Sequence, residues 1–289
     1  MGSLVTNPTN ARERAFLRAC NHARNPLPDW KRLAQHASPI NCMGLAFPNR
    51  LGIAAGFDRS GELGRSAGNL GFGAIELGSW TRENWPNDLP AHHPDVLLDT
   101  RLGVRLAATA PVSPEQETGQ LIHLLEKAWL TADYLTMAPG WLQQPVPFRQ
   151  LHANLLRLRE AQQALERRTR KFRPIVYKLQ VKPGNEDVCN LVPYLSCQNV
   201  DGILISFDFG KPVTNVRYRQ WQAPELQAVT CRAIEACQRH LKGASALLTN
   251  GGVLSRQDYL DRLNAGAELV QLHNALVFEG PDIGWKLTL

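Results

Sequence analysis

The sequence predicts an α/β fold of the (β/α)8 TIM-barrel type. Three observations carry that expectation. Short apolar runs suited to buried parallel strands recur from Leu51 to Leu272, and stretches of helical periodicity separate most of them. The first pair is spaced as a strand–loop–helix–strand unit, which only a parallel pairing satisfies. No linker in the 289 residues is long enough to divide the chain. The reading is therefore a helical N-terminal cap over 1–40 and one barrel over 41–289.

Taken in order, residues 9–37 read as two short amphipathic helices. Phe16, Leu17 and Cys20, then Trp30, Leu33 and Ala34, supply their apolar faces, and Asn25-Pro-Leu-Pro28 interrupts them. Asn41 to Pro48 reads as a small hairpin leading into the barrel. The first barrel strand is Leu51–Ala55, whose Ala54-Ala-Gly56 end is small enough for a large molecule to lie against the backbone. Arg59-Ser-Gly-Glu62 opens a helix expected to reach about Leu70. The remaining strands are expected at Gly73–Leu77, Gly103–Ala107, Asp133–Met137, Pro174–Leu179, Gly202–Ser206, Ser245–Thr249 and Glu268–Leu272, with Lys178 closing the fifth run. The other helices are expected over 114–130, 147–169, 185–197, 222–241, 256–265 and 275–287. Glu83 to Arg101, rich in Pro and His, has no helical pattern.

Composition narrows the class. With 44% hydrophobic and 20% charged residues the chain is an ordinary globular one, and it has no run of about 18 apolar residues to span a bilayer. The N-terminus lacks the apolar segment of a secretory signal. Six cysteines without a Cys-x-x-Cys spacing read as reduced, partly buried thiols, and a cytoplasmic address fits. A net charge of +6 favours an anionic ligand or surface but does not by itself make a nucleic-acid binder.

The wording of several segments resembles the dihydroorotate dehydrogenases, most closely their membrane-associated class. Gly52-Ile-Ala-Ala-Gly-Phe-Asp58 and Gly71-Phe-Gly-Ala-Ile-Glu-Leu-Gly-Ser79 match the family's opening. Asn199-Val-Asp-Gly-Ile-Leu-Ile-Ser206, Asn250-Gly-Gly-Val253 and Ala265-Gly-Ala-Glu-Leu-Val-Gln-Leu272 follow in the family's order. The resemblance implies the barrel and a flavin mononucleotide (FMN) cofactor. It places Ala54, Ala55 and Gly56 under the flavin ring, Ser79 and Ser206 at ring contacts, and Lys178 at the pyrimidine edge. Gly210, Gly251, Gly252, His273 and Asn274 fall on the phosphate side. In the membrane-associated class a helical extension forms an apolar mouth for quinone. Here that extension is short and basic, with Arg12, Arg14, Arg18 and Arg24, so a solvated cap is the preferred reading over peripheral membrane contact.

The departures bear on function. The family's Asn-x-Ser-Ser-Pro-Asn-Thr loop, which supplies the catalytic base, is replaced by Met137-Ala138-Pro139-Gly140-Trp141, leaving no catalytic residue to name. Arg105 stands for an asparagine on the third strand, and Ser206-Phe-Asp-Phe209 replaces Thr-Asn-Thr-Thr. The lysine after Gly-Phe-Asp has become Arg59. Dihydroorotate oxidation needs a placed base and amides that read a pyrimidine, so that reaction is not expected. Arg59, Arg105, Trp141 and Phe207 are instead candidates to bind a small anionic or planar molecule, the arginines through charge and the aromatics by stacking. The competing reading has them fill the cavity as core, with the arginines paired to Glu76 or Asp58. Two functions stay open: an FMN oxidoreductase with a changed substrate, and a catalytically inactive barrel that binds or regulates. No metal site is expected, since His92-His93-x-Asp95 lacks a third convergent ligand. Arg167–Arg173 carries five basic residues in seven positions and reads as a solvated connection rather than a nucleic-acid contact.

Overall fold

In the computed structural model, residues 8–26, 28–86, 96–109, 112–182, 187–210, 213–241 and 243–288 are described. Helices α1 (Pro8–Arg24) and α2 (Pro28–Ala34) and a hairpin of β1 (Ile40–Cys42) and β2 (Leu45–Phe47) precede the barrel. Its strands are β3 (Leu51–Asp58), β4 (Ala74–Trp80), β5 (Arg101–Leu106), β6 (Tyr134–Met137), β7 (Ile175–Val181), β8 (Gly202–Phe207), β9 (Ala246–Asn250) and β10 (Leu269–Leu272). Each pairs in parallel with the next, and β10 closes on β3. All eight expected strands are present, most of them a residue or two longer or shifted by one.

The outer helices are α3 (Pro114–Ala128), α4 (Gly140–Gln143), α5 (Phe148–Thr169), α6 (Val192–Cys197), α7 (Asn215–Gln220), α8 (Pro224–Leu241), α9 (Arg256–Asn264), α10 (Asn274–Glu279) and α11 (Ile283–Thr288). Three expectations are corrected. The helix over 60–70 is a loop and a 3-10 turn, Gly64–Leu70, because the Asp58 carboxylate accepts from the backbone N–H of Gly61 and Gly64 at 2.7 and 2.9 Å and holds an open loop. The helix over 185–197 is a 3-10 turn followed by α6. The helix over 275–287 is broken at Gly280 (φ 90°) and Pro281, which splits it into α10 and α11. The short helices α4 and α7 have too few residues for a periodic signal.

Side chains alternate between the barrel interior and the surrounding helices. At the N-terminal end the interior is apolar: Tyr134, Val176, Leu204, Leu248 and Leu269 pack together, and the hairpin residues Cys42 and Phe47 stopper them from below. Gly103 is required there, because a Cβ would lie 2.4 Å from the Tyr134 ring. One step toward the mouth the interior turns polar. Fully buried Glu76 accepts from Thr136 Oγ1 at 2.9 Å and from Gln271, and the positive charges of Lys178 and Arg105 lie near it. Lys178 therefore sits mid-strand in β7 rather than at its end, with its side chain inside the barrel.

Helix α1 lies along the barrel flank. Ala15, Ala19, Cys20 and Ala23 face the barrel, Asn69 Nδ2 donates to the Ala23 carbonyl at 2.7 Å, and Arg14, Leu17 and Arg18 face solvent. None of the cysteines forms a disulfide, and Cys20, Cys42 and Cys237 are buried.

Candidate functional site

The ends of β3, β8, β9 and β10, with the upper interior of β7, enclose a cavity of about 320 Å³ at the C-terminal mouth of the barrel, the face at which such barrels bind ligands. Its floor is Lys178, Asn250 and Gln271. These join a hydrogen-bonded chain: Asn250 Nδ2 donates to Gln271 Oε1 at 3.2 Å, and Gln271 donates onward to Glu76. Burial holds the Glu76 carboxyl above the usual carboxylate range, against the opposing pull of its two donors and of the nearby Lys178 and Arg105 charges. Arg105 is itself lowered by burial, and its buried Nε has no hydrogen-bond partner among the described residues.

The cavity wall is built from small residues and backbone on one side and from cations on another. Ala54 and Ala55 line it from β3, and Gly251 and Gly252, both at positive φ, line it from the turn after β9. His273 and Asn274 line it from the end of β10; His273 Nδ1 and Asn274 Oδ1 are paired at 3.0 Å. The His273 ring meets Phe57 edge-on with centroids 6.1 Å apart, and burial, assisted by the charges of Arg12 and Arg59, holds the imidazole below its ordinary pKa. Arg12 reaches the cavity from α1 and donates to the carbonyls of Gly56 and Phe57 at 3.2 and 3.1 Å.

A second, larger cleft of about 770 Å³ lies over the ends of β6, β7 and β8 and shares Asp208 with the first. Trp141, at 2% exposure, lines it. Gln143 fixes its wall, donating to the Lys178 carbonyl and accepting from the Gln180 N–H, both at 2.8 Å. Asp208 accepts from Gln180 Nε2 at 2.8 Å and from the Gly210 N–H at 2.9 Å.

No protein-family profile matches the chain. A protein of Saccharophagus degradans named dihydroorotate dehydrogenase (quinone) is 26% identical, over 85% of this chain and 84% of its own. One of the same name from Chromobacterium violaceum is 27% identical over 85% and 82%. Among solved structures, the dihydroorotate dehydrogenase of Eimeria tenella in complex with ferulenol superposes with a TM-score of 0.73 at 16% identity, over 98% of this chain and 90% of that one. The chain is a relative of the dihydroorotate dehydrogenases.

Against that family, the structure gathers some of the residues singled out by sequence and scatters others. Ala54, Ala55, Arg59, Lys178, Phe207, Gly210, Gly251, Gly252, His273 and Asn274 all border the smaller cavity. Gly56 lies behind His273, which would touch a Cβ there at 3.6 Å, while Ser79 and Ser206 are not on its lining. The four substrate candidates do not share one pocket. Trp141 lines the other cleft, and Arg105 lies inside the barrel near Glu76, beyond ion-pair distance. Phe207 borders the cavity, but its ring lies over the buried Arg262 guanidinium at 5.2 Å, on the helix side of the sheet. The alternation explains this: Ser206 points inward, so Phe207 cannot. Nor does either arginine pair with Asp58, whose oxygens are occupied by the loop after β3.

Where the family has its base-bearing loop, Pro139 begins the short helix α4, and the Gly140 N–H donates to Glu117 Oε1 at 2.7 Å. No serine, threonine or cysteine lines either cavity among the described residues. Sequence reading missed Arg12, Asp208, Asn250 and Gln271 as lining residues. Asp208 and Asn250 adjoin recognised motifs and were within reach, whereas Arg12 lies 44 residues from its partner Gly56 and carried no local signal. No group of metal-ligating side chains occurs among the described residues, and the His92-His93-x-Asp95 segment lies outside them. No described helix is long and apolar enough to cross a membrane.

Proposed function

We propose that this protein binds flavin mononucleotide in the smaller cavity and is a flavin-dependent oxidoreductase acting on a substrate other than dihydroorotate. One observation carries the reading: Ala54, Ala55, Lys178, Gly251 and Gly252, from three separate strands or the turns that follow them, converge on a single cavity at the barrel mouth. Its volume, about 320 Å³, lies at the lower end of what ligand sites offer. The residues fit the group. Two alanines give a flat ring a close backbone floor, Lys178 gives its electron-rich edge a positive charge, and Gly251 and Gly252 form a turn of the kind that grips phosphate. When bound, a flavin supplies the capacity to take up a hydride, which no side chain has. The protein's share is to hold Lys178 through Glu76 below it and to orient Asn250 and Gln271 toward the ring.

Dihydroorotate is argued against by the missing groups. Substrate oxidation in this family needs a proton acceptor beside the flavin, and the loop that carries it is here Ala138-Pro139-Gly140-Trp141. A second reading is favoured by Phe209. Its ring lies where a Cβ on Gly252 would come within 2.8 Å, and it stacks on Trp221 with centroids 5.3 Å apart. An aromatic ring against the phosphate-side glycine suits a barrel that has given up the cofactor and only binds or regulates. The visible spectrum of untreated protein decides between them. Flavin absorbance, with flavin mononucleotide released on denaturation, supports the oxidoreductase; colourless protein that takes up no added flavin mononucleotide overturns it.

A further inference from the structure

Two arginines, Arg12 and Arg59, border the smaller cavity outside any ion pair among the described residues. Arg12 comes from α1 and uses a single nitrogen, Nη1, for both of its backbone contacts, with the carbonyls of Gly56 and Phe57. Arg59 follows β3, borders the same cavity, and lies near enough for its charge to act on Arg12. His273 completes the edge, its ring packed beside Gly56. Of the nearby acids, Glu13 on α1 is exposed and partly offsets Arg12 by its charge without forming an ion pair with it. Asp58 is held by the N–H groups of Gly61 and Gly64, and Asp208 by Gln180 and Gly210. Neither arginine belongs to an ion pair among the described residues.

Like charges brought together at a partly desolvated edge repel, and an anion placed between them removes the repulsion. Guanidinium groups suit this role, since their planar donor arrays match the oxygens of a phosphate. In the same cavity, Phe209 covers Gly252. A ligand with an anionic end therefore meets an aromatic ring at Gly252 and two cations outside any ion pair at Arg12 and Arg59.

We infer that Arg12 and Arg59 form the anion subsite of this cavity and receive a phosphate group, with α1 serving as part of the wall. The inference deepens the flavin reading in one case only. The phosphate belongs either to flavin mononucleotide itself or to a separate phosphorylated metabolite, and the recognition chemistry is the same.

The test is calorimetric titration of the full chain, first freed of any bound ligand, with inorganic phosphate, riboflavin and flavin mononucleotide. Wild-type protein is expected to bind inorganic phosphate, and R12Q and R59Q are each expected to weaken it at least tenfold; R59K, which keeps the charge, retains most of it. Melting curves of each variant confirm that it is folded, and R59Q, altering an exposed side chain, serves if R12Q is not. If the phosphate is the cofactor's own, R59Q weakens flavin mononucleotide but not riboflavin, and inorganic phosphate competes with the cofactor. If it belongs to another metabolite, phosphate still binds to flavin-loaded protein and R59Q leaves both flavins unaffected. Should the protein bind phosphate while refusing both flavins, the subsite stands and the flavin reading falls. Absence of phosphate binding in wild type, or equal binding by R59Q and wild type, overturns the subsite.

Discussion

The two halves of the barrel mouth differ in what their strand ends carry. Around β9, β10 and β3 the strand ends keep small or polar residues, Ala54, Ala55, Asn250, Gly251 and Gly252, and leave a cavity bordered by cations. Around β5, β6 and β8, where a dihydroorotate dehydrogenase holds its substrate, the corresponding positions carry Arg105, Trp141 and Phe207, whose side chains are turned into the barrel or buried against the helices. In a barrel each strand delivers its own loop to a shared face. The groups that grip a cofactor and those that grip a substrate therefore sit on different strands, and one set is free to change while the other stays.

The sharpest break in this comparison is at Glu76, which underlies the half with the smaller cavity. Glu76→Ala removes the buried counter-charge of Lys178 and Arg105 and strands the donors of Thr136 and Gln271. The expected cost is about 3–5 kcal/mol, a large part of a typical domain's stability, read from urea denaturation. Glu76→Gln costs less and changes the pH dependence. Because burial raises the Glu76 pKa in the folded state, its favourable contribution is complete below the unfolded value of about 4.3 and is lost as pH rises through the folded one. Burial raises Asp58 and Asp201 in the same sense, so the decisive quantity is the difference between wild type and E76Q. A difference that does not change with pH above about 4.3 means that Glu76 carries no such shift.

Next in size is Gln227, buried behind the glycine turn. Its Nε2 donates to the carbonyls of Trp221 and Gly252, both at 2.9 Å, and its Oε1 accepts from Arg262 at 3.0 Å. Arg262 is fully buried, and burial lowers its pKa to about 10. Gln227→Ala leaves that guanidinium without its acceptor and frees the Gly252 carbonyl, at an expected cost of about 2–3 kcal/mol in chemical denaturation. A cost below about 0.5 kcal/mol would mean that the turn is held by packing alone.

The strands were legible because a parallel strand buried on both faces reads as a short apolar run between helices; Leu51–Ala55 and Gly202–Ser206 were found that way and lie within β3 and β8. Broken helices were not, because Gly280-Pro281 and the Asp58 loop act through backbone angles and caps that leave the hydrophobic period intact. For the site, motif position gave Lys178, Gly251 and Gly252 but not orientation. Phe207 and Ser206 are neighbours in sequence and face opposite sides of the sheet, so reading either as a pocket residue required the register. Arg12 shows the other limit, since a helix packed along the barrel flank contributes to a cavity that no local pattern reveals.

Phe209 marks the border between the two halves. Phe209→Ala uncovers Gly252, and fluorescence titration with flavin mononucleotide is expected to show about tenfold tighter binding, equivalent to ~1.4 kcal/mol. Unchanged affinity would place the obstacle to phosphate elsewhere and would detach Phe209 from the difference between the two sides.

The smallest effect is expected at Trp141, in the half with the larger cleft. Its indole Nε1 is buried without a hydrogen-bond partner among the described residues. An orphaned buried donor lowers stability, and Trp141→Phe deletes that donor together with some apolar contact area, so the two changes oppose each other. The net shift in urea denaturation is expected to stay within about 1 kcal/mol of wild type. A loss above about 2 kcal/mol would show instead that the indole N–H is satisfied in solution. The side chain would then be a polar participant in the cleft over β6 to β8, and that half of the mouth would have been refitted for another ligand rather than packed shut.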